Sequence, residues 1–485
     1  MKNDKLLFYA KTFDAIPNAP FLYQATLDKI LERLQALGLK DISAAASSKD
    51  GAYALDDYCL YVNFKRGETN LPLIIDSHID HPGFVLNDQG YGIGFGSIGF
   101  ERLKKLISTN QPEIDIFDNE GKFHCTKTIT SFNYDVKPII KLEDNVDVPN
   151  NSHGIWHLPD FREDADHIYM KNADNMVATT VAMALIDDIA NSPDLYPDID
   201  VTFIFTFLEE VFEVSATHVA LKKRTPFGKI TPKSSVIVLE SMQSVPMHAD
   251  DEILQNKLAS ENLKELRLED DQVFYSPELR EKILAEGSVN KIYEELDLKL
   301  PNHDDGLLVK INDTDTVYGI YYPDQENEIE DFILNILKTE KVPFQHTVSG
   351  GACNGTAYSL YPTTSSIITL NIPNRFKHNI GPDGSIVAEQ IKKSDIDDAF
   401  FVVSKLLQTD SPEKSSQGLS KRLKNSNLAY NTEILRKLQI ERSNVTWGAK
   451  LRIAHSKYFP DSLFEKLRFK IRGVAARIRE KLGII

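Results

Sequence analysis

The run Val201-Thr202-Phe203-Ile204-Phe205-Thr206-Phe207-Leu208 ends on two adjacent carboxylates, Glu209 and Glu210. A stretch so rich in β-branched and aromatic residues reads as a strand buried on both faces, as in the middle of a parallel sheet. Such a strand needs a covering layer on each side, which points to an α/β architecture. Two carboxylates where the strand emerges repel each other unless a cation or a proton relieves them. Open α/β sheets place their ligand sites at the carboxyl ends of strands. The pair therefore asks for a metal, although an isolated Glu-Glu also suits two solvated side chains opening a loop.

Other strand ends behave alike. Leu73-Ile74-Ile75-Asp76 runs into Ser77-His78-Ile79-Asp80, Val236-Ile237-Val238-Leu239 ends at Glu240, and Ile367 to Ile372 leads through Pro373 to His378. Asp174 precedes Met176 to Ile189, a segment rich in Ala, Met, Val and Leu that reads as a helix with Asp174 near its N-cap. Imidazole and carboxylate donors without cysteine suit zinc, cobalt or manganese better than a thiolate structural site.

Ser-His-Ile-Asp-His-Pro-Gly-Phe (77–84), Ala-Asp-Asn (173–175), Leu-Glu-Glu-Val (208–211) and Ile-Pro-Asn-Arg-Phe-Lys-His (372–378) follow one another in the order seen in the M42 family of dinuclear metallo-aminopeptidases. Val342-Pro343-Phe344-Gln345 to Gly350-Gly351 is similar to the segment before the last metal histidine of that family. The chain resembles the family over most of residues 1–405, and five short motifs in order carry the resemblance. The wider clan contains other zinc exopeptidases and deacylases.

The resemblance implies a three-layer α/β catalytic domain of the zinc-exopeptidase (phosphorylase/hydrolase-like) type, with a mostly parallel central sheet and an inserted small β-barrel. It also implies two divalent metal ions, zinc first, with cobalt or manganese as alternatives. His78, Asp174 and Glu240 would hold one ion and Asp174, Glu210 and His378 the other, with Asp174 and a water or hydroxide bridging them. Asp80 would orient the imidazole of His78 and fix its tautomer. Glu209 would be the general base that activates the bridging hydroxide and returns the proton to the departing amine. The activity implied is removal of N-terminal amino acids from short peptides. The chain departs from the family pattern in carrying Glu240 where Asp is usual, and Ala352-Cys353 where a Thr-Asp pair is common. The second departure bears on the substrate more than on the metals. Cys353 reads as a small buried cysteine rather than a nucleophile.

Bulk properties agree with a cytoplasmic enzyme. Three cysteines (Cys59, Cys125, Cys353) make no disulfide framework, and no apolar run suggests a secretory signal or a membrane span. A formal charge of −16 disfavours nonspecific binding to nucleic acid. That charge is uneven. Residues 410–485 hold 17 Lys/Arg against 7 Asp/Glu, which leaves about −26 for residues 1–409.

The expected organisation is a catalytic domain from 1–85 and 166–409, a glycine-punctuated β domain inserted at 86–165, and a basic extension at 410–485. The Leu27 to Leu37 helix carries Leu27, Ile30, Leu31, Leu34 and Leu37 at core spacing. A charge-rich insertion at 250–300 suggests helices, as a lid, an assembly contact or a solvated excursion. Phe464, Leu467, Ile471, Val474, Ile478 and Leu482 form a stripe on a basic helix. That helix suits a subunit, a partner groove or an anionic membrane surface. His81 and His346 are expected near substrate, and Arg375 near a carboxylate that it orients. The family's closed oligomers make a homo-oligomer the expected assembly. Two other readings remain from the residues: an amidohydrolase of the same architecture that removes acyl groups from amino acids, amino sugars or conjugates, and a catalytically silent interaction protein.

Overall fold

The computed structural model describes residues 4–42, 50–69, 71–96, 106–108, 111–134, 138–143, 148–244, 301–310, 327–347, 353–360, 364, 366–381 and 385–409. The 250–300 insertion and the 410–485 extension lie outside the described residues. No helix among those described is long and apolar enough to cross a membrane.

The strand expected at Val201–Leu208 runs Ile199–Thr206 and lies between one parallel and one antiparallel neighbour in a 12-stranded mixed sheet. Its centre is parallel: Ile199–Thr206, Leu73–His78, Ser235–Gln243 and Ile367–Arg375 are hydrogen-bonded in that order. Antiparallel strands flank this centre, with Cys59–Arg66 on one side and Glu389–Lys392, followed by His167–Met170, on the other. Cys59–Arg66 is covered on both faces like the centre, since Leu60, Val62 and Phe64 enter one core and Cys59 and Tyr61 the other.

Alternation along the central strands assigns each face. Val201, Phe203 and Phe205, with Leu73, Ile75, Ile237 and Leu239, enter one large apolar core. Ile204, Ile74, Val236 and Val238 enter a smaller core on the opposite face. This is the two-residue period of a pleated strand with apolar residues on both faces. The helices Asp4–Asp14, Gln24–Ala36, Ala173–Asn191, Glu328–Thr339 and Lys393–Leu407 contribute to the large core. Val214–Lys222 and Asn354–Leu360 cover the other side through Ala216, Val219, Ala220, Ala357 and Tyr358. The Ala173–Asn191 helix is buried almost all round, as its unbroken Ala, Met and Val composition requires.

Six strands close a separate barrel in the order Ser152–Trp156, Gly83–Leu86, Tyr91–Phe95, Pro138–Leu142, Phe123–Tyr134 and Glu113–Phe117. Phe84, Leu86, Ile114, Ile116, Ile129, Ile140, Leu142 and Trp156 fill it. Gly92 is dictated by that filling, since a Cβ there would lie 2.5 Å from Leu86 Cδ2 and 2.9 Å from Ile140 Cγ1. The barrel spans residues 83–156, against an expected insertion of 86–165; Arg162–Glu163 and His167–Met170 are strands of the main sheet. The first barrel strand begins five residues after His78, so the barrel leaves the sheet at the edge where the candidate ligands stand.

Candidate metal centre

The four central strands point their carboxyl ends to one edge, and that edge gathers the expected residues. His78 closes its strand and pairs in register with Thr206. Asp76 pairs with Val238, so two residues further on His78 and Glu240 stand level on neighbouring strands. Glu240 is thus inside its strand, which continues to Gln243, and not at the strand end expected from sequence. Glu209 and Glu210 follow Thr206 in the connection to the Val214–Lys222 helix. His378 follows Arg375 at the end of the fourth strand.

The distances gather these residues into two groups, His78 with Glu209 and Glu240, and Asp174 with Glu210 and His378, and Asp174 also approaches His78 of the first. His78 Nε2 lies 3.5 Å from Asp174 Oδ1 and 3.4 Å from Glu240 Oε2. His378 Nε2 lies 2.9 Å from Asp174 Oδ2 and 3.4 Å from Glu210 Oε1. Glu209 Oε2 comes within 3.9 Å of His78 Nε2 and belongs by position to the first group. Tetrahedral ligands about 2.1 Å from an ion are separated by roughly 3.4 Å, so these spacings suit a divalent ion. Among these atoms His78 Nε2, both Asp174 oxygens, Glu210 Oε1 and Glu240 Oε2 are deeply buried and make no directed hydrogen bond. Buried polar atoms rarely stay unsatisfied. Nitrogen and oxygen donors pointed at one another without hydrogen bonds therefore fit a cation.

Electrostatics state the same demand. Burial disfavours charge on His378, yet Glu210 and Asp174 push its pKa up to about 10. His78 is likewise held well above its ordinary value, against burial, by Glu240 and Glu209. The neighbouring glutamates part company. Burial and the carboxylates of Glu210, Glu240 and Glu213 push Glu209 well up, against the pull of His78. Glu210, despite burial, is drawn down by His378. Paired carboxylates whose environments drive them apart are suited to different tasks, one accepting protons and the other staying ionised.

The backbone around these side chains is strained and clamped. Among the described non-glycine residues, five of the ten with positive φ are Phe212, Glu213, Phe376, His378 and Asn379, all in the two loops that carry Glu210 and His378. Each such residue costs on the order of 1 kcal/mol, and such strain gathers at functional sites. Asp80 secures the first loop: its Oδ1 accepts from Glu209 N at 2.9 Å and its Oδ2 from Glu210 N at 3.1 Å. Its backbone carbonyl lies 2.9 Å from His78 Nδ1 and its carboxylate 3.4 Å away, so both parts bear on the imidazole. Glu389 secures the second loop. Its carboxylate accepts from Asp174 N at 2.7 Å and from His378 N at 2.5 Å, and burial pushes its pKa up to about 7.

Two further contacts fix the surroundings. Gly96 of the barrel donates its amide to Glu210 O at 3.1 Å, and a Cβ at this left-handed residue would fall 2.7 Å from Glu210 Oε2. The barrel thus comes to the edge of the centre through a residue that only glycine accommodates. Beneath it, Asp76 accepts from Asn354 Nδ2 at 2.6 Å and Tyr358 OH at 2.7 Å, tying the Asn354–Leu360 helix to the sheet.

Two expectations change, those for His81 and Arg375. His81 does not present a free ring to substrate: Nδ1 meets the carbonyl of Asp174, and Nε2 lies 3.1 Å from Asn379 Oδ1. Arg375 lies over the Phe376 ring at 5.3 Å, and no carboxylate pairs with it among the contacts described. His346 is on the Phe344–Thr347 strand against the ring of Phe344, outside both trios. Cys353 is buried in the smaller core. Sequence reasoning missed Glu389 and Lys377. The Lys377 ammonium lies 3.1 Å from Asp174 Oδ2 and 3.4 Å from Glu240 Oε1.

No protein-family model and no curated protein matches the chain. Solved structures do. A TET aminopeptidase from a marine-sediment thaumarchaeon superposes with a TM-score of 0.56 at 14% identity, covering 84% of this chain and 97% of its own. The aminopeptidase APDkam598 of Desulfurococcus kamchatkensis gives 0.52 at 13%, over 84% and 95%. The TET1 peptidase of Pyrococcus horikoshii, which assembles into a tetrahedron or a large octahedral shell, gives 0.52 at 14%, over 83% and 99%. At this identity the likeness establishes the fold: an α/β domain with an inserted barrel.

Proposed function

We propose that the chain is a metal-dependent aminopeptidase acting on short peptides. The observation that carries the reading is the pair of groups, His78 with Glu209 and Glu240 and Asp174 with Glu210 and His378, joined where Asp174 Oδ1 lies 3.5 Å from His78 Nε2. The fold, common to structures of aminopeptidases, supports it. His78, Asp174 and Glu240 would hold one divalent ion, zinc first, and Asp174, Glu210 and His378 a second. Such ions would polarise a peptide carbonyl and lower the pKa of a bound water.

The chain's own residues supply the proton traffic. Glu209, raised by burial and like-charged neighbours, is suited to take a proton from the attacking water and deliver it to the departing amide nitrogen. Asp80 keeps Glu209 in place through its backbone amide, and holds Glu210 in the same way. The carboxylates around the centre favour the free α-ammonium group of a peptide, which gives a physical basis for exopeptidase selectivity. A homo-oligomer accompanies this reading, as in TET1, and a monomeric mass by light scattering would remove that part.

The test uses aminoacyl p-nitroanilides beside their N-acetyl forms, with and without chelator. The expected result is release from the unblocked compounds only, lost on chelation and restored by zinc. Cleavage of the acetylated forms alone would make the chain a deacylase. Hydrolysis of neither with zinc, cobalt or manganese removes the enzymatic reading.

A further inference from the structure

One cation at the centre is not used by the proposed reaction. Lys377 is only 19% exposed in its side chain, and it directs Nζ to two carboxylates that also face His78. It reaches them from the other side. His78 Nε2 comes closest to Asp174 Oδ1 and Glu240 Oε2, whereas Lys377 Nζ comes closest to Asp174 Oδ2, at 3.1 Å, and Glu240 Oε1, at 3.4 Å.

The second trio has no such separation. His378 Nε2 also faces Asp174 Oδ2, at 2.9 Å. Lys377 and the second position therefore draw on one oxygen, while the first position keeps oxygens of its own. An ammonium and a divalent ion on one buried carboxylate oxygen repel across a few ångströms of low dielectric, and little salt reaches them to screen it. Glu240 Oε1 also accepts from Ser241 N at 2.9 Å, which holds that oxygen turned away from His78 and toward the lysine.

We infer that Lys377 is a resident cation that competes with the divalent ion at Asp174, Glu210 and His378, and leaves the ion at His78, Asp174 and Glu240 undisturbed. The two positions then differ in affinity: one ion is held tightly and the other exchanges. The inference rests on the two-ion reading above and goes beyond it by ranking the positions. Lys377 is a positioning residue in this account, acting through Asp174.

Metal-free protein titrated with Zn2+ against a chromophoric chelator tests this, for the wild-type chain and for Lys377→Met, Lys377→Arg and His378→Ala. The wild type is expected to bind two equivalents of unequal affinity, with His378→Ala losing the weaker. Lys377→Met tightens the weaker equivalent by about tenfold and moves the stronger by less than about threefold. Lys377→Arg keeps the charge and leaves the gap open. Two equivalents of unchanged affinity in Lys377→Met overturn the role of Lys377 alone, and so does tightening of the stronger equivalent in place of the weaker. A wild-type chain that binds no zinc overturns the two-ion reading beneath it.

Discussion

Glu209→Gln is expected to lower kcat on unblocked aminoacyl substrates about a thousandfold or more, with zinc content as in the wild type. Glutamine keeps the shape of the side chain and the backbone link from Glu209 N to Asp80 Oδ1, but its amide cannot accept the proton. A thousandfold loss corresponds to about 4 kcal/mol of transition-state stabilisation. The measurement separates two roles that position alone leaves together, because Glu209 stands within ligand reach of His78 and Glu240. A base loses turnover and keeps metal; a ligand loses both. Retained activity in a fully metallated variant would falsify the assignment.

Asp174→Asn is the second large effect. Asp174 is fully buried, and its two oxygens face His78 on one side and His378 and Lys377 on the other. Against burial, Lys377 and the two histidines hold its pKa well below the ordinary range, so in the metal-free chain it is a stabilising counter-ion at neutral pH. Its stabilising contribution is present above the unfolded carboxylate pKa and is lost as pH falls through the lowered folded value. Removing the charge leaves buried cations facing an amide, for which about 3 kcal/mol of destabilisation is expected in urea unfolding of the apo protein. Zinc content, measured by elemental analysis, should drop at both positions because both draw on this carboxylate. Full zinc binding in the variant would contradict the shared-ligand geometry.

Much of this centre could be read from the chain because strand ends are local signals. Val201 to Leu208 is β-branched, aromatic or aliphatic at every position, so it needed cover on both faces, and residues of both parities do enter the two cores. Parallel neighbours then carry His78, Glu240 and His378 to the same edge as Glu209 and Glu210. What could not be read depends on contacts remote in sequence. Glu389 reaches the Asp174 amide across 215 residues, and nothing in Ala388-Glu389-Gln390 announces it.

Lys377 lay inside a recognised motif, yet neighbouring residues on a regular strand point to opposite faces. The left-handed residues Phe376, at φ 78°, and His378, at φ 58°, break that rule and bring Lys377 and His378 to one cluster. The expectation for His81 failed for a similar reason. Its place next to Asp80 and three residues from His78 suggested substrate, but the ring is spent on the Asp174 carbonyl and on Asn379.

The central claim is that the two trios are metal positions. Anomalous scattering at the zinc edge, from crystals grown with zinc in excess, tests it most directly. The account predicts one peak among His78 Nε2, Asp174 Oδ1 and Glu240 Oε2, and a second among Asp174 Oδ2, Glu210 Oε1 and His378 Nε2. Crystals that hold zinc elsewhere, or nowhere, with these side chains in the same places would contradict it.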